Sequence, residues 1–475
     1  DLTGLENFNN LKTLNLSKNT IATASPLSQL TKLQELNISE NPINTEILSA
    51  ISNLTNLNQL DLANTKMNSD QLEYLKNLNN LTTLTLSSNN ISAVGRITNL
   101  TGITKLDISV NTSFTDLSQL QSFVNITDLN ISGTGLTSLL GIDNLTNLEK
   151  LYAADNKGIT SDIHNLYSLS KLKVLNLSSI GINGNRPNIS FYDLANLPEL
   201  EELHLASNEI TSTYSINQLA NLKILDLKDN KITSINDFVK RDGEAIVTEN
   251  TLKATKIDLK GNQITDISVL AEYPGDIYWL DLSENHIYSI EALDKYQFSA
   301  KNDNGKILYL QNQDITFGLK QKTAEVDHYI ILPKIFQYSK IDGTSVYAED
   351  AEFEYTDGVK LNPDYTDPKQ YNVIIDRNKK YEDEISMTLN GGNADGTVLH
   401  FKLGERGDIN CYIESILFKD KNLESAIKTE VEKVLENYNS NYYITIPMII
   451  NIDADVISQI SELNLQHTDS NDNTK

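Results

Sequence analysis

Three aspartates recur at one position of a repeated motif in the second half of the sequence. Asp226, Asp258 and Asp281 each lie between two apolar residues, as LDL, IDL and LDL. If the motif places them on consecutive strands, their carboxylates repel one another, which either raises a pKa or recruits a cation. Three lysines are interspersed in the same stretch: Lys228, Lys256 and Lys260. We therefore predict a charge-balanced ladder of side chains here, with no metal bound.

One histidine occupies the same motif position as these aspartates. His204 lies one repeat before Asp226, and an imidazole beside a carboxylate makes up part of a hydrolytic triad. No serine in the sequence has the strained elbow context of such a nucleophile, and an imidazole that faces open solvent lacks an oxyanion hole. The sequence therefore predicts no enzyme, no catalytic residue and no cofactor.

These residues belong to a repeat of the form L-x-x-L-x-L-x-x-N. The first copy places Leu11, Leu14, Leu16 and Asn19 in this frame, and the frame fits thirteen times. Its twelve steps cover 294 residues, and the resulting mean period of about 24 is a leucine-rich-repeat spacing. Three steps are longer, at 28, 32 and 28 residues, and we expect them to bulge from the convex side or an edge. The ninth positions are Asn19, Asn41, Thr65, Asn89, Asn111, Thr134, Asn156, Ile180, Asn208, Asn230, Asn262, Asn285 and Gln313.

The spacing predicts how each repeat folds. Positions four and six point inward from a short strand, with position one beside them, so that parallel stacking builds a continuous core. Asparagine at position nine turns the chain, because its amide binds backbone groups that have lost their ladder partners. Thr65 and Thr134 could do this in part, whereas Ile180 cannot. We expect short 3₁₀ or irregular return segments. The predicted fold class is a leucine-rich-repeat solenoid.

Positions three, five and seven of each repeat face the concave side, where stacked strands present columns of side chains about 4.8 Å apart. Asn and Asp predominate in column five, and we interpret most of them as a solvated ladder. Tyr152, His204 and Tyr309 depart from that pattern. Aromatic and apolar groups on a rigid sheet have the composition of a binding hot spot. The predicted protein-binding residues are Lys150, Tyr152, Val174, Glu202, His204, Ile224, Asp226, Lys256, Asp258, Trp279, Asp281 and Tyr309.

The repeat frame is tested by whether the apolar and aromatic residues among these predicted binding residues are exposed. We expect Tyr152, His204 and Ile224 to be exposed, because positions three and five alternate with the buried leucines. The same expectation applies to Trp279 and Tyr309. For these last two, contact with the following β-domain or with the last insertion is an equally good explanation.

Charge and cysteine content exclude several classes of function. With 64 acidic against 39 basic residues the net charge is −25, so the molecule repels phosphate backbones and anionic lipid. The single cysteine, Cys411, rules out an intramolecular disulfide, and rigidity must come from repeated packing. The sequence shows no apolar run of 18 residues, leader or lipidation motif. We expect no nucleic-acid partner and no membrane insertion within this fragment.

Three domains are predicted along the chain. The array of about 13 repeats fills residues 1–320. From about Lys322 the frame stops, and β-favouring runs separated by turn signals predict a β-sandwich over 321–404. Residues 405–475 combine an amphipathic helix signal after Asp420 with one further repeat frame from Ile460 to Thr468. The β-favouring runs are Tyr329–Leu332, Val346–Tyr347, Glu352–Tyr355, Tyr371–Ile375, Ile385–Leu389 and Thr397–Leu403.

We expect the C-terminal segment to cover the open end of a repeat array. Asp1 begins partway through a repeat whose strand edge and leucines would otherwise face water. The joint at Gly404–Asn410 is too short to span the roughly 60 Å back along a dozen strands. We favour two explanations. One is capping in trans, which would associate copies of the chain head to tail, and the other is a numbering that does not follow chain order. The remaining alternative is the start of a second array.

The repeats resemble those of internalins and internalin-like surface proteins of Gram-positive bacteria. The resemblance rests on the repeat frame, on Thr at position nine and on the D-L-T-G-L-E phrase from Asp1 to Glu6. It implies an Ig-like domain after the array. It also implies that the helix at Asp420–Asn437 is a helical cap, although in that family the cap precedes the first repeat. The implied function is an extracellular adhesin or virulence factor, on the bacterial surface or secreted, whose concave face binds a protein on a host or neighbouring cell.

The residues alone support a rigid, acidic protein-binding scaffold. Two other functions stay open at this point. One is a structural cell-envelope protein in which arrays link end to end without a host receptor. The other is a carbohydrate-binding module that uses the Tyr and Trp side chains.

Overall fold

The chain divides into two compact units. Unit 1 comprises Asp1–Leu259 with Tyr273–Ile277, and unit 2 comprises Lys260–Glu272 with Tyr278–Lys475. The computed structural model describes residues 2–21, 23, 25–159, 163–182, 191–287, 289–298, 305–320, 328–331, 352–355, 359–361, 372–375, 386–390 and 398–404.

Short parallel strands are the repeating element of the chain. Thirteen three-residue strands follow one another in sequence order in a parallel sheet, which confirms the predicted leucine-rich-repeat solenoid. Each strand occupies positions three to five of its repeat, and in unit 1 the strands pair in register, for example Leu14 with Leu36. The strands are β1 Thr13–Asn15, β2 Glu35–Asn37, β3 Gln59–Asp61, β4 Thr83–Thr85, β5 Lys105–Asp107, β6 Asp128–Asn130, β7 Lys150–Tyr152, β8 Val174–Asn176, β9 Glu202–His204, β10 Ile224–Asp226, β13 Lys256–Asp258, β14 Trp279–Asp281 and β15 Ile307–Tyr309. The longest repeat carries a separate antiparallel hairpin of β11 Arg241–Asp242 and β12 Ala245–Ile246, whose four residues are exposed.

Short helices form the return segments, as expected from their length. One α-helix, α1 at Thr45–Ile51, begins after Asn44, whose side chain accepts a hydrogen bond from the Ile47 N–H at 3.0 Å. A second, α2, spans Phe191–Leu194. The 3₁₀ helices are Leu5–Asn7, Ser25–Gln29, Ser69–Leu75, Gly95–Ile97, Leu117–Leu120, Ile142–Asn144, Ile163–Ser168, Ile216–Gln218, Asn236–Phe238, Ser268–Ala271 and Glu291–Tyr296.

The core of unit 1 lies between the sheet and these return segments. Leu84, Leu129 and Leu203 stand at the centres of their strands and are fully buried. Burial of one such leucine contributes about 1.5–3 kcal/mol. Because the strands stack in register, these leucines form a continuous column, so the sheet is held at fixed geometry.

Asparagine side chains at position nine join successive repeats. Asn111 is fully buried, and its Nδ2 donates to the carbonyls of Leu86 and Ile108 at 3.0 and 2.9 Å. Its Oδ1 accepts the Ile91 N–H at 2.9 Å. Leu86 and Ile91 belong to the preceding repeat, so one amide holds two turns together. The predicted role of position nine is confirmed.

The ninth positions without asparagine behave differently. The hydroxyl of Thr65 donates to the Leu62 carbonyl of its own repeat at 2.8 Å, which is part of the asparagine pattern. Ile180 offers no such group and is buried. Its turn is held from the following repeat, because Asn208 Oδ1 accepts the N–H of Ile180 at 3.2 Å and that of Ile182 at 3.1 Å. The chain therefore turns at Ile180 without help from its side chain.

Position eight of every repeat has left-handed backbone, with φ between 51° and 66°. This conformation lets the position-eight N–H bond the next repeat, as Val110 N–H does to the Ser132 carbonyl at 2.7 Å. Glycine and polar residues tolerate the conformation, and β-branched residues rarely adopt it. Val110, with φ 56° and 52% of its surface exposed, is the β-branched residue at this position. The repeat therefore imposes local backbone strain there.

Among the described residues after the repeat array in unit 2, seven strands form two sheets. They are β16 Asp314–Lys320, β17 His328–Ile331, β18 Glu352–Tyr355, β19 Val359–Leu361, β20 Asn372–Ile375, β21 Ser386–Asn390 and β22 Val398–Gly404. One sheet has the order β16-β22-β21-β18 and the other β17-β20-β19. Pairing is antiparallel except between β16 and β22, which run parallel over seven residues.

Five of the six predicted β-favouring runs coincide with strands, and Val346–Tyr347 lies outside the described residues. The strands β16 and β19 were not predicted. The Ig-like arrangement stays a prediction. The predicted helix after Asp420 and the repeat frame at Ile460–Thr468 also lie outside the described residues, as does their expected capping role. In the described ranges, no helix has the length and apolar character needed to cross a membrane.

Candidate functional site

The predicted binding residues of unit 1 lie on one face of its sheet. This solvent face consists of the side chains at positions three and five of β1–β10 and β13. Lys150 is exposed there. Seven more are partly exposed: Tyr152, Glu202, His204, Ile224, Asp226, Lys256 and Asp258. The side chains at position four are buried in the core in β2–β10 and β13, whereas Leu14 of the first strand is partly exposed. The two faces of the sheet are therefore separated as the frame requires.

Val174 departs from the expectation of an exposed apolar side chain. Only 6% of its surface is accessible, so it offers almost nothing to a partner. In register it stands between Lys150 and Glu202. Both have longer side chains whose stems extend beyond the two methyl groups of the valine. Sequence position alone placed Val174 on the correct face, but did not account for the size of its neighbours.

His204 stands between two carboxylates. Its Nδ1 lies 3.4 Å from Asp226 Oδ2 on the next strand, and its Nε2 lies 3.8 Å from Glu202 Oε2 on the same strand. Asp226 is held in turn, because its Oδ1 accepts the Lys228 N–H at 3.2 Å. The imidazole therefore lies between two carboxylates on the solvent face, with its shorter contact to Asp226. Both of these neighbours in the described part of the chain are carboxylates.

A shallow hollow lies on the solvent face beside Tyr152. Its volume is about 170 Å³, and it crosses β4 to β7. Burial raises the pKa of the Tyr152 phenol above its ordinary value, and the nearby Asp128 carboxylate raises it further. The hollow is lined by Thr83, Leu84, Thr85, Lys105, Leu106, Asp107, Asp128, Asn130 and Tyr152. Of these, only Tyr152 was predicted from the sequence. The feature of the sequence that indicates the hollow is Thr85, which has a short side chain at a column-five position that normally carries Asn or Asp.

Asparagine and aspartate in column five have a structural task. The side-chain oxygens of Asn37, Asp61 and Asp107 each accept the N–H two residues further on, at 2.9–3.0 Å. Burial raises the pKa of the Asp61 carboxyl, the bond from the Ala63 N–H opposes this rise, and the charge of Asp107 adds to it. The predicted solvated ladder is thus also a series of bonds that end each strand.

In unit 2, two aromatic side chains stand on neighbouring strands. Trp279 on β14 and Tyr309 on β15 meet edge to face, with ring centroids 5.9 Å apart and ring planes at 65°. Both are partly exposed. Whether the β-domain or the last insertion also contacts them stays open, and residues 299–304 of that insertion lie outside the described ranges.

Charged groups surround this aromatic pair. Burial raises the pKa of the Asp281 carboxyl, while hydrogen bonds from Ser283 and the charge of Lys260 oppose the rise. Lys260 itself pairs with Glu284 at 3.0 Å. Lysines therefore do balance part of the acidic ladder, as the sequence predicted. Within the described ranges, no group of three or more His, Cys, Asp or Glu side chains is arranged to hold a metal ion.

Comparisons with known proteins identify leucine-rich repeats in parts of the chain. The family model "Leucine Rich repeats (2 copies)" matches residues 9–53 and 198–240, and "Leucine Rich repeat" matches residues 77–98. Among solved structures, an internalin (inlF) from Listeria monocytogenes is 25% identical with a TM-score of 0.49, covering 65% of this chain and 89% of that chain. The repeat fold is typical of protein-interaction scaffolds.

Two curated relatives are eukaryotic proteins. Tubulin-specific chaperone E from Xenopus laevis is 29% identical over 191 residues, 34% of this chain and 35% of that protein. An uncharacterized leucine-rich repeat-containing protein from Schizosaccharomyces pombe is 35% identical over 98 residues, 20% of this chain and 14% of that protein. The chain thus spans about a third or less of the length of these relatives.

Proposed function

We propose that the chain binds a partner protein through the solvent face of unit 1, at strands β7 to β10. The observation that carries this proposal is the arrangement around His204. Its imidazole lies between the carboxylates of Glu202 and Asp226, while Tyr152 and Ile224 stand on the same face and are partly exposed. The side chains of a hot spot typically combine aromatic or apolar surface with oriented polar groups.

Rigidity strengthens this proposal. The strands are fixed by buried leucines and by the asparagine bonds between repeats, so their outward side chains are ordered before a partner arrives. Ordering a side chain on binding costs about 0.5–1.5 kcal/mol, and a preordered surface avoids much of that cost. Tyr152 therefore contributes contact area at a small entropic cost. The function needs no catalytic group and no cofactor.

The setting proposed for this binding is extracellular. Its support is the resemblance of the repeats to internalins, with Thr at position nine, which favours an adhesin on the surface of a Gram-positive bacterium. The partner would be a protein on a host or neighbouring cell. An Ig-like domain formed by the strands after the array belongs to the same proposal.

A cell-binding experiment tests the proposal. The fluorescently labelled chain is titrated onto epithelial cells and onto Gram-positive bacteria, before and after the cells are stripped with a protease. We expect saturable binding that the protease abolishes. The triple variant Tyr152→Ala, His204→Ala, Ile224→Ala should lose at least tenfold in affinity, about 1.4 kcal/mol.

The matched control is Gln59→Ala, an exposed residue of β3 on the same face. It should bind as the unmodified chain does. Binding that survives protease but is lost after glycosidase treatment would identify a carbohydrate ligand and contradict the proposal. Equal loss in the triple variant and in Gln59→Ala would place the site elsewhere.

A further inference from the structure

A stripe of exposed side chains runs along the return segments of unit 1, away from the solvent face of the sheet. It consists of Leu140, His164, Tyr192 and Tyr214. Each precedes by two residues a fully buried residue of a short helix: Ile142, Leu166, Leu194 and Ile216. The four helices are neighbours in sequence order, so the four side chains occupy the same place in consecutive repeats. We call them the outer stripe.

The outer stripe is unusually exposed for its composition. Leu140 exposes 65% of its surface, Tyr192 60% and Tyr214 72%, and His164 is also exposed. A contiguous exposed apolar surface on a folded protein typically marks an interaction site. In the three preceding repeats the same position holds Glu73, Gly95 and Ser118. An aromatic or apolar side chain at this position is therefore not a requirement of the repeat.

Taken together, the four segments that carry the outer stripe contain acidic residues and no basic ones. Residues 138–147, 163–170, 191–199 and 212–221 contain no lysine or arginine. They carry Asp143, Asp193 and Glu199, all at least partly exposed. Lys171, which follows the second segment, donates to Asn147 Oδ1 at 2.7 Å. The stripe thus combines tyrosine rings with carboxylates.

We propose that the outer stripe binds a basic segment of a protein, with arginine or lysine side chains placed over Tyr192 and Tyr214. Cations bind to the faces of aromatic rings, and the neighbouring carboxylates attract the same groups. Phosphate-bearing ligands would be repelled by the acidic surroundings. A second copy would oppose the same carboxylates in a symmetric contact, which is unfavourable. The site is separate from the one proposed on the sheet.

The test uses the full chain and a synthetic probe. The probe is a fluorescent peptide with the repeated unit Arg-Leu-Gly, and its control replaces each arginine with glutamine. Binding is measured by anisotropy in about 0.15 M salt, where the Debye length of about 8 Å suppresses diffuse attraction to the acidic chain. We expect the arginine peptide to bind and the glutamine peptide to bind at least tenfold more weakly.

Substitutions that leave the net charge unchanged locate the site. Tyr192→Ala combined with Tyr214→Ala should weaken the arginine peptide about tenfold. Tyr214→Phe, which keeps the ring, should bind within twofold of the unmodified chain. The matched control is Tyr278→Ala, an exposed tyrosine of unit 2, which should change nothing.

Three results would overturn the proposal. Equal binding by the double alanine variant would show attraction to the whole acidic chain. Equal binding of the glutamine peptide would show an apolar site with no preference for cations. Self-association of the unmodified chain in sedimentation, abolished by the double alanine variant, would identify a second copy as the occupant. None of these results bears on the Tyr152, His204 and Ile224 surface, whose variants should bind the peptide normally.

Discussion

Two parts of the solvent face of unit 1 use the same backbone for different purposes. In β1–β6, column five side chains such as Asn37 and Asn130 accept the N–H two residues further on, at 2.9 and 3.1 Å. In β7–β10, Tyr152 occupies the same column, and its ring cannot make that bond in the same way. Asn176 and Asp226 of the same strands keep the bond, at 3.0 and 3.2 Å. The proposed binding surface therefore combines strands that retain this structural bond with the strand of Tyr152, which has lost it.

The first prediction concerns the asparagine bonds on which both parts depend. Asn208→Ala should cost about 3 kcal/mol or more of unfolding free energy, because buried backbone groups lose their partners. These include the N–H of Ile180 and the carbonyl of Leu177. Denaturant unfolding measures the effect. Asn19→Ala is the control, since Asn19 is exposed and bonds only its own repeat, and an equal loss there would contradict the explanation.

The second prediction separates structural from recognition residues within column five. Asn37→Ala should cost about 1–2 kcal/mol, because the N–H and hydroxyl of the buried Ser39 both lose an acceptor. His204→Ala should change stability by less than about 0.5 kcal/mol, as surface substitutions do, while weakening partner binding. Thermal and denaturant unfolding of both variants provide the comparison. If His204→Ala is more destabilising than Asn37→Ala, the structural role belongs to His204 and the prediction is wrong.

The third prediction uses the strained backbone at position eight. Val110→Asn should stabilise the protein by about 1 kcal/mol, because asparagine tolerates left-handed backbone better than a β-branched residue. Ser88→Asn is the control at the matching position of the preceding repeat, where φ is 55°, and should change little. The two unfolding midpoints are compared directly. A loss of stability in Val110→Asn would mean that valine makes a compensating contact.

The fourth and smallest effect depends on pH. Because burial raises the pKa of Asp61 in the folded state, the folded state binds more protons than the unfolded state just above the ordinary aspartate pKa. Stability from this group therefore falls as pH rises through that window. Asp61→Asn keeps the acceptor for the Ala63 N–H and removes the charge. It should stabilise the protein near pH 7 by less than about 0.5 kcal/mol, as expected for a surface change.

A pH series of unfolding measurements checks the sign. The advantage of Asp61→Asn should disappear as pH falls below about 4, the ordinary range of an aspartate. An advantage that grows as the pH falls would show that the carboxylate stabilises the fold.

The repeat frame predicted the strands because one leucine spacing determines both burial and direction. Leu84 and Leu203 stand at strand centres as the frame requires, and Tyr152 and His204 lie on the predicted face. The repeat frame gives the direction of a side chain and not the size of its neighbours, so it did not predict the burial of Val174. It also missed the hollow, which depends on short residues such as Thr85 across four strands.

Other features were missed because they depend on pairing or on the return segments. The strand β16 pairs with β22, which lies some eighty residues away in sequence, and no local pattern reveals such a partner. The outer stripe lies at a position where the repeat motif specifies no residue type. Its four members become visible as a group only when the short helices are aligned in space.

The bonds at position nine also determine how the array comes apart. An asparagine there binds the preceding repeat, so it couples the opening of one repeat to that of its neighbour, as in a one-dimensional chain of interacting units. In the described parts of the array, the side chains of Thr65, Thr134 and Ile180 make no hydrogen bond to the preceding repeat. At these junctions the position-nine side chain adds nothing to the backbone ladder, to the apolar packing or to surface bonds such as that of Lys173 with Glu149 at 3.0 Å. Under force or in native-state hydrogen exchange, the array should therefore open in blocks whose limits fall at these three residues.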